Sequence, residues 1–262
     1  MALPKRVDIV IPVLNEAHVL ENSVDALRTH LQEGFPFQWR IVIVSNGSTD
    51  STGDLGRALA ARHADIQFLS LDQRGRGRAL RHAWTVSSAD AVCYMDADLS
   101  TGLAFLQPLV EAILKDGYDI ATGSRLLHGA RTNRSFRREA ISRIYNWIVW
   151  LAFRTRIKDS QCGFKAASRR AVQQVLPQVE DQCWFFDTEL LVLAQASGLA
   201  VKEIPVVWHE DPDSRVKIIS TAWDDLRGIV HLWLSLKRSG AGLPGQPPLN
   251  GVEAGMRNGE DG

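Results

Sequence analysis

The chain has 262 residues, enough for one large domain, and its 45% hydrophobic and 23% charged content is that of an ordinary globular protein. Its 30 Lys and Arg residues balance 30 Asp and Glu residues, and a formal net charge of zero argues against nucleic acid as a partner. Three widely spaced cysteines fit neither a disulfide framework nor a zinc site and favour a reducing cytoplasm, and without an apolar run of about 18 residues we expect no transmembrane helix.

Strands and helices alternate in the first half of the chain. Short apolar runs predict strands at 7–13, 40–44, 66–71, 91–95 and 119–122, and helical periodicity predicts helices at 17–31, 55–64, 76–87 and 103–114. Asn15 is expected to cap the first helix, and Asp50 or Ser51 the second. Helices between successive strands are typical of βαβ units, so we expect an α/β fold with a mostly parallel sheet flanked by helices.

After residue 125 the pattern changes to longer helices. Helices are predicted at 136–153, 186–196 and 218–236, a short strand at 161–165 and a last strand at 199–208. We expect one domain over 1–238 and a disordered tail at 239–262, which is rich in Gly, Pro, Asn and acids. The segments 135–155 and 218–236 combine tryptophan with Lys or Arg, which is typical of amphipathic helices at a membrane interface; core packing is the other interpretation.

Two carboxylates follow the predicted strand at 91–95, in the sequence Asp96-Ala97-Asp98. Ligands of open α/β sheets bind at the carboxyl ends of the strands, and hard cations such as Mg²⁺ and Mn²⁺ prefer carboxylate oxygens. We therefore predict a metal site formed by Asp96 and Asp98, with Ser100 as a further oxygen ligand. The alternative is an ordinary surface turn, in which Asp is also common.

Several short motifs together resemble the family 2 glycosyltransferases. They are IPVLNE (residues 11–16), NGSTD (46–50), GRGRAL (75–80), DADLS (96–100) and GSR (123–125). Three further motifs, DSQCGFK (159–165), FDTELL (186–191) and DSRVK (213–217), resemble the polyprenyl-phosphate branch, which includes dolichyl-phosphate mannose synthases and dolichyl-phosphate glucosyltransferases. The form QCGFK is closer to the glucosyl enzymes, and the resemblance covers roughly residues 7–220. It implies a GT-A-type, Rossmann-like fold.

This resemblance implies a metal-dependent, inverting transfer of a hexose from a nucleotide diphosphate sugar to polyprenyl phosphate. UDP-glucose is the favoured donor and GDP-mannose the alternative, with Mg²⁺ or Mn²⁺ as the cofactor. The implied donor-binding residues are Pro12, Leu14, Asn15, Glu16, Ser45, Asn46, Arg78, Asp96 and Ala97. The pair Ser45-Asn46 departs from the Asp-Asp that is usual in the family, although the Asn46 amide oxygen can still accept a hydrogen bond. Arg76 or Arg78 is placed to reach a nucleotide phosphate, unless this loop is merely solvated.

A basic stretch supplies the candidate acceptor site, because residues 125–143 contain six arginines and one acid. The implied acceptor-phosphate ligands are Arg125, Arg138, Ser142, Arg215 and Lys217, while Arg134 and Arg137 are interpreted as solvated. Asp98, Arg125 and Asp187 are the implied catalytic residues. For Asp187 we favour a positioning or weak-base role, because a phosphate acceptor is already mostly dianionic at pH 7.

Two alternative functions stay open at this point: a family 2 glycosyltransferase with a soluble acceptor, and a non-catalytic nucleotide-sugar-binding or membrane scaffold protein. A lipid-linked acceptor would place the protein peripherally on the cytoplasmic face of a membrane. The sequence leaves open whether the chain forms a homo-oligomer.

Overall fold

The computed structural model describes residues 4–133, 135–209 and 218–238. The strands are β1 (Arg6–Val13), β2 (Gln38–Asn46), β3 (Ile66–Leu71), β4 (Ala91–Met95), β5 (Ile120–Ser124), β6 (Arg131–Asn133), β7 (Phe164–Ser168), β8 (Val201–Pro205) and β9 (Val207–His209). The α-helices are α1 (Leu20–Gln32), α2 (Thr52–Arg62), α3 (Arg76–Val86), α4 (Leu106–Leu114), α5 (Phe136–Phe153), α6 (Arg169–Gln174), α7 (Phe186–Ala196) and α8 (Ile218–Arg238). Short 3₁₀ turns lie at Leu103–Phe105 and Leu176–Gln178.

The described residues form a seven-stranded sheet in the order β3-β2-β1-β4-β7-β5-β8. Strand β7 runs antiparallel to both of its neighbours, and the other neighbouring pairs of this sheet are parallel. The predicted α/β class and mostly parallel sheet are therefore confirmed. This arrangement brings the carboxyl ends of β1, β2, β4 and β5, and the amino end of β7, to one edge of the sheet.

The sheet is covered on both faces, which explains its continuous apolar strands. Successive residues of β1 illustrate this, because Ile9 and Ile11 pack in one hydrophobic cluster and Val10 packs in the other. The first cluster includes side chains of α1, α2 and α4, and the second includes side chains of α3 and of α5 to α8. Among the helices that the structure describes, none has the length and hydropathy needed to cross a bilayer.

Asn15 does not cap the first helix, so this expectation was wrong. The residue has a left-handed backbone (φ 59°), and its Oδ1 accepts hydrogen bonds from the N–H groups of Thr49 (2.7 Å) and Asp50 (3.3 Å). Helix α1 accordingly begins later than predicted, at Leu20. Of the two residues expected to cap α2, Ser51 occupies the N-cap position but its side chain makes no capping hydrogen bond. Asp50 supplies one instead, because its Oδ1 accepts from the N–H of Thr52 at 3.0 Å.

In the second half of the chain, some predicted elements match the structure and others do not. Helices α5 and α7 have the predicted bounds, but the strand expected at 161–165 begins at Phe164, because 159–163 form a loop. The strand expected at 199–208 is two strands, of which β9 leaves the main sheet and pairs with the unpredicted β6. Helix α6 was also not predicted. The expected tail at 239–262 lies outside the described residues.

Asp8 is a buried charge in the middle of β1, with a side chain that is 1% exposed. It accepts hydrogen bonds from Arg40 Nε (3.1 Å) and Nη2 (2.6 Å) and from Ser87 Oγ (2.6 Å). Asp8→Ala should lower the free energy of unfolding by about 3 kcal/mol, because it breaks a buried ion pair. Asp116→Ala is the control: its 2.7 Å pair with Lys202 is exposed and should contribute under about 1 kcal/mol. Equal losses in urea titrations would contradict this ranking.

Candidate active site

The Asp-x-Asp sequence forms a loop at the carboxyl end of β4. Asp96 is partly exposed, Asp98 is exposed, and Ala97 between them is buried. Asp98 Oδ1 accepts from the N–H of Ser100 at 2.9 Å, and the Ser100 carbonyl accepts from the N–H of His209 at 2.9 Å. Strand β9 therefore fixes the loop that carries both carboxylates.

These carboxylates fit a hard divalent cation. The part of the chain that the structure describes contains no group of three or more His, Cys, Asp or Glu side chains arranged to hold a metal. Asp96 and Asp98 would thus provide two oxygen ligands and leave other positions to substrate oxygens and water. That division of ligands is typical of Mg²⁺ bound with a diphosphate.

Arg76 contacts Asp96 from the first turn of α3. Its Nη2 lies 2.8 Å from Asp96 Oδ1, and its Nη1 lies 3.5 Å from Asp187 Oδ2. The guanidinium also lies over the rings of Tyr94 (5.1 Å) and Trp184 (5.0 Å). Burial alone would lower the pKa of Arg76, but Asp96, Tyr94 and Asp187 outweigh it and raise the pKa above its usual value. Arg76 therefore stays charged between the two carboxylates.

Asp187, at the start of α7, is held by buried donors. Lys165 Nζ lies 2.9 Å from Asp187 Oδ1, the Tyr94 hydroxyl donates to the same oxygen, and Arg76 faces Oδ2. Lys165 is fully buried and also donates to the carbonyl of Cys162 at 2.6 Å. A carboxylate occupied in this way fits the positioning half of the positioning or weak-base role that we predicted for Asp187, and the role itself stays a prediction.

Negative charge is concentrated where these groups meet. Burial, opposed by Arg76 and reinforced by the charges of Asp98 and Asp187, raises the pKa of Asp96 to about 6. Crowded carboxylates of this kind favour a cationic ligand, since a cation relieves their mutual repulsion.

Arg125, the predicted acceptor ligand, follows β5 and forms a bidentate pair with Asp159. Its Nε lies 2.8 Å from Oδ2 and its Nη2 lies 2.9 Å from Oδ1. Burial alone would raise the pKa of Asp159, but Arg125 outweighs it and lowers the pKa. The Trp208 ring covers the Arg125 guanidinium at 5.6 Å. Arg125 is thus fixed in one orientation beside the Asp-x-Asp loop.

The predicted donor residues lie at the ends of β1 and β2. Pro12, Leu14 and Glu16 are half-buried there, and Ser45 is buried and donates to Ser48 Oγ at 3.0 Å. Asn46 is buried too, and both ends of its amide are occupied: Nδ2 donates to the Val13 carbonyl (3.0 Å), and Oδ1 accepts from the N–H of Gly75 (3.3 Å). Asn46 therefore joins three loops of the site.

Arg78 is not the arginine that reaches the Asp-x-Asp loop. It lies near Cys183, and the described residues offer its buried Nε no hydrogen-bond partner. Residues 76 and 78 of a helix point in different directions, so one of them can face Asp96 while the other cannot. A nucleotide contact by Arg78 stays a prediction.

The predicted acceptor residues of α5 lie on the side of the 159–163 loop. Arg138 is half-buried and Ser142 is buried. One turn later, Asn146 donates to the Ser142 carbonyl (2.9 Å) and accepts from the N–H of Ser160 (2.8 Å). Helix α5 is thereby tied to the same loop as Arg125. Arg137 is exposed, as expected, whereas Arg134, Arg215 and Lys217 lie outside the described residues.

Sequence reasoning assigned no role to Tyr94, Asp159 or Lys165. Asp159 and Lys165 stand within the DSQCGFK motif, and a lysine inside an apolar strand was a usable signal, because a buried lysine needs a partner. The identity of that partner, Asp187, depends on a contact between distant segments of the chain.

Comparisons with known proteins agree with this geometry. The family model described as "Glycosyl transferase family 2" matches residues 8–176. Glycosyltransferase AglD of Haloferax volcanii is 37% identical over 232 residues, which are 88% of this chain and 37% of AglD. Dolichyl-phosphate beta-glucosyltransferase ALG5C of Trichomonas vaginalis is 33% identical over 220 residues, covering 80% of this chain and 65% of ALG5C. The chain thus spans about a third of the length of AglD and about two thirds of the length of ALG5C.

A solved structure has the same fold. Glucosyl-3-phosphoglycerate synthase from Mycobacterium tuberculosis, in complex with Mn²⁺, uridine diphosphate and phosphoglyceric acid, superposes with a TM-score of 0.66. The alignment covers 88% of this chain and 78% of the synthase at 19% identity, and it therefore supports the GT-A-type fold.

Gly163 lets the 159–163 loop approach the Asp96–Arg76 pair. A Cβ at this position would lie 2.0 Å from Asp96 Oδ2 and 2.5 Å from Arg76 Nη2. Gly163→Ala should therefore displace Asp96 and weaken Mn²⁺ binding about tenfold in a calorimetric titration, equivalent to about 1.4 kcal/mol. The control is Gly53→Ala, where the new Cβ would meet Arg57 at an ordinary 3.8 Å. Wild-type Mn²⁺ affinity in Gly163→Ala would mean that the pair can move without cost.

Proposed function

Because the chain belongs to glycosyl transferase family 2, we propose that it transfers a hexose from a nucleotide diphosphate sugar to polyprenyl phosphate. The observation that carries this proposal is the position of Arg125 beside the Asp96-Ala97-Asp98 loop. Asp159 holds Arg125, whose guanidinium lies 5.6 Å from the Trp208 ring, and Trp208 forms a β-bridge with Thr101, just after that loop. Similarity to a dolichyl-phosphate beta-glucosyltransferase supports the acceptor class and favours UDP-glucose over GDP-mannose.

At the donor end, Asp96 and Asp98 would hold Mg²⁺ or Mn²⁺, and the N–H of Ser100 donates to Asp98 Oδ1. The metal would supply positive charge that neutralises the leaving diphosphate. The loops after β1 and β2, joined through Asn46, would hold the nucleotide. The Mn²⁺ and uridine diphosphate bound by the glucosyl-3-phosphoglycerate synthase of the same fold support this assignment.

At the acceptor end, Arg125 would bind the polyprenyl phosphate, with Arg138, Ser142, Arg215 and Lys217 as the further proposed ligands. A phosphate oxygen attacks the anomeric carbon while the bond from that carbon to the diphosphate oxygen breaks, so a single displacement inverts the carbon. The attacking phosphate is already anionic near pH 7 and gives up no proton. Asp187 therefore serves by holding Arg76 and Lys165 in place.

Two helices present exposed apolar side chains that fit a bilayer surface. On α5, Trp147 is 58% exposed and Trp150 is 45% exposed, and on α8 Trp223 is 57% exposed. Arg227 lies over the Trp223 ring at 5.3 Å, so a cation stands beside the apolar face, where it can reach anionic headgroups. We propose that these faces hold the protein peripherally on the cytoplasmic side of a membrane. Trp233, in contrast, is half-buried against the core.

Transfer is tested with purified protein, labelled UDP-glucose or GDP-mannose, and polyprenyl phosphate, by extraction of product into organic solvent. We expect labelled lipid from UDP-glucose, and none in the presence of a chelator. Asp98→Asn should lower kcat/KM by about 100-fold, whereas the exposed Asp54→Asn on α2 should leave it unchanged.

The same assay separates the alternatives. Label recovered in phosphorylated water-soluble acceptors alone would indicate a soluble-acceptor enzyme, such as the synthase that binds phosphoglyceric acid. Nucleotide-sugar binding without transfer to any acceptor would indicate a non-catalytic binding protein. Full activity of Asp98→Asn with chelator present would remove the metal assignment.

Membrane contact is tested with vesicles that contain anionic lipid. Replacing Trp147, Trp150 and Trp223 together by Ser should weaken binding and reduce transfer to long polyprenyl phosphates more than to short, water-soluble analogues. Trp84→Phe, a conservative change of a fully buried tryptophan, is the matched control and should leave vesicle binding unchanged. Equal loss on both acceptors, with a lowered melting temperature, would contradict a membrane role for these three residues.

A further inference from the structure

Helix α8 connects an exposed face to the interior of the protein. Its inner face is buried through Ile229, Leu232 and Leu236, and it approaches α7 so closely that a Cβ on Gly228 would lie 2.5 Å from the Phe185 ring. Its outer face carries the exposed Trp223. A rigid element packed in this way can transmit a change at its outer surface to the groups on its inner side.

An acid lies on the inner face of α8. Asp225 is 2% exposed, and its Oδ2 accepts a hydrogen bond from Gln161 Nε2 at 2.9 Å. Its Oδ1 is buried and has no hydrogen-bond partner among the described residues. A buried carboxyl with an unpaired oxygen costs stability, so its presence calls for a reason other than packing.

Three other carboxylates act electrostatically on Asp225. Burial, together with the charges of Asp181, Asp187 and Asp224, raises the pKa of Asp225 to about 7, and the hydrogen bond from Gln161 opposes this shift. Tyr145 of α5 also interacts with it electrostatically. The hydrogen bond from Gln161 Nε2 is the contact that holds the Asp225 carboxyl toward the 159–163 loop.

Gln161 belongs to the 159–163 loop, which determines the position of the catalytic candidates. Asp159 holds Arg125, the carbonyls of Ser160 and Cys162 hold Lys165, and Gly163 packs against Asp96. Three separate parts of the site thus depend on the position of five consecutive residues.

We propose that Asp225 is a positioning residue through which helix α8 controls the 159–163 loop. It acts on the reaction through Gln161 and touches no reacting atom. Lipid that contacts the outer face of α8 stabilises the packed position of the helix, a step that rests on the proposed function. The helix then orders the loop through Asp225 and Gln161, and turnover increases. The enzyme is then activated by the surface on which its acceptor lies.

The experiment compares wild type with Asp225→Ala, which removes the acceptor atom, and Asp225→Asn, which retains an oxygen for Gln161. Acceptor-free vesicles with anionic lipid are added to protein that is transferring hexose to a short, water-soluble polyprenyl phosphate. We expect vesicles to raise wild-type kcat about tenfold, the effect of one hydrogen bond to a charged group. Asp225→Ala should bind vesicles normally but lose this stimulation, and Asp225→Asn should keep it. Asp54→Asn, which neutralises an exposed acid on α2, is the control and should match wild type.

Amide hydrogen exchange of the 159–163 loop tests the contact without transfer or lipid. Asp225→Ala should exchange faster at this loop than wild type, and Asp225→Asn should not. Unchanged exchange in Asp225→Ala, or stimulation of that variant by the wild-type factor, would overturn the proposal. Altered exchange in a protein that transfers no hexose would instead overturn the proposed function and leave the link between α8 and the loop intact.

Discussion

The buried charge of Lys165 is the constraint on which the rest of the site depends. Taking an ammonium group out of water costs several kcal/mol unless a counter-charge and hydrogen-bond acceptors replace the solvent. Asp187 supplies the charge, and carbonyls of the preceding loop supply the acceptors. These contacts connect the centre of the sheet to α7. Asp187 also contacts Arg76, which in turn contacts Asp96. The position of the Asp96 carboxylate thus depends on buried contacts.

Local patterns in the sequence predicted the elements that depend on local physics. Buried strands and the long helices α5 and α7 were found in this way, and so was the location of the Asp-x-Asp loop, because sheet topology alone brings strand ends together. Prediction failed where a side chain contacts residues that are distant in the sequence. Asn15 binds the loop after β2 instead of capping its own helix. The loop before Lys165 cannot extend as a strand, since its carbonyls turn toward the ammonium group.

The sequence also could not decide whether Arg76 or Arg78 faces the Asp-x-Asp loop. The glycine-rich sequence indicated a cation near the ligand, but which cation faces Asp96 depends on the phase of α3. Gly75, with φ 141°, sets that phase, and the backbone of Gln182 approaches it so closely that a Cβ would lie 2.3 Å from the carbonyl oxygen. The departure at Asn46 has a comparable explanation, because an aspartate could not donate to the Val13 carbonyl as this amide does.

The antiparallel strand β7, inserted between β4 and β5, bears on how the protein folds. Strands β1 to β4 follow one another in a regular winding and can pair as the chain emerges. Strand β7 must instead insert between two strands that precede it in the chain, and Asp187 of α7 must reach Tyr94 of β4, 93 residues earlier. Closing such long loops is slow, because chain entropy is lost before the contacts compensate for it. The strands that end at the predicted donor-binding loops are thus close together along the chain, whereas the contacts of Asp187 close long loops, and we expect the first to form before the second.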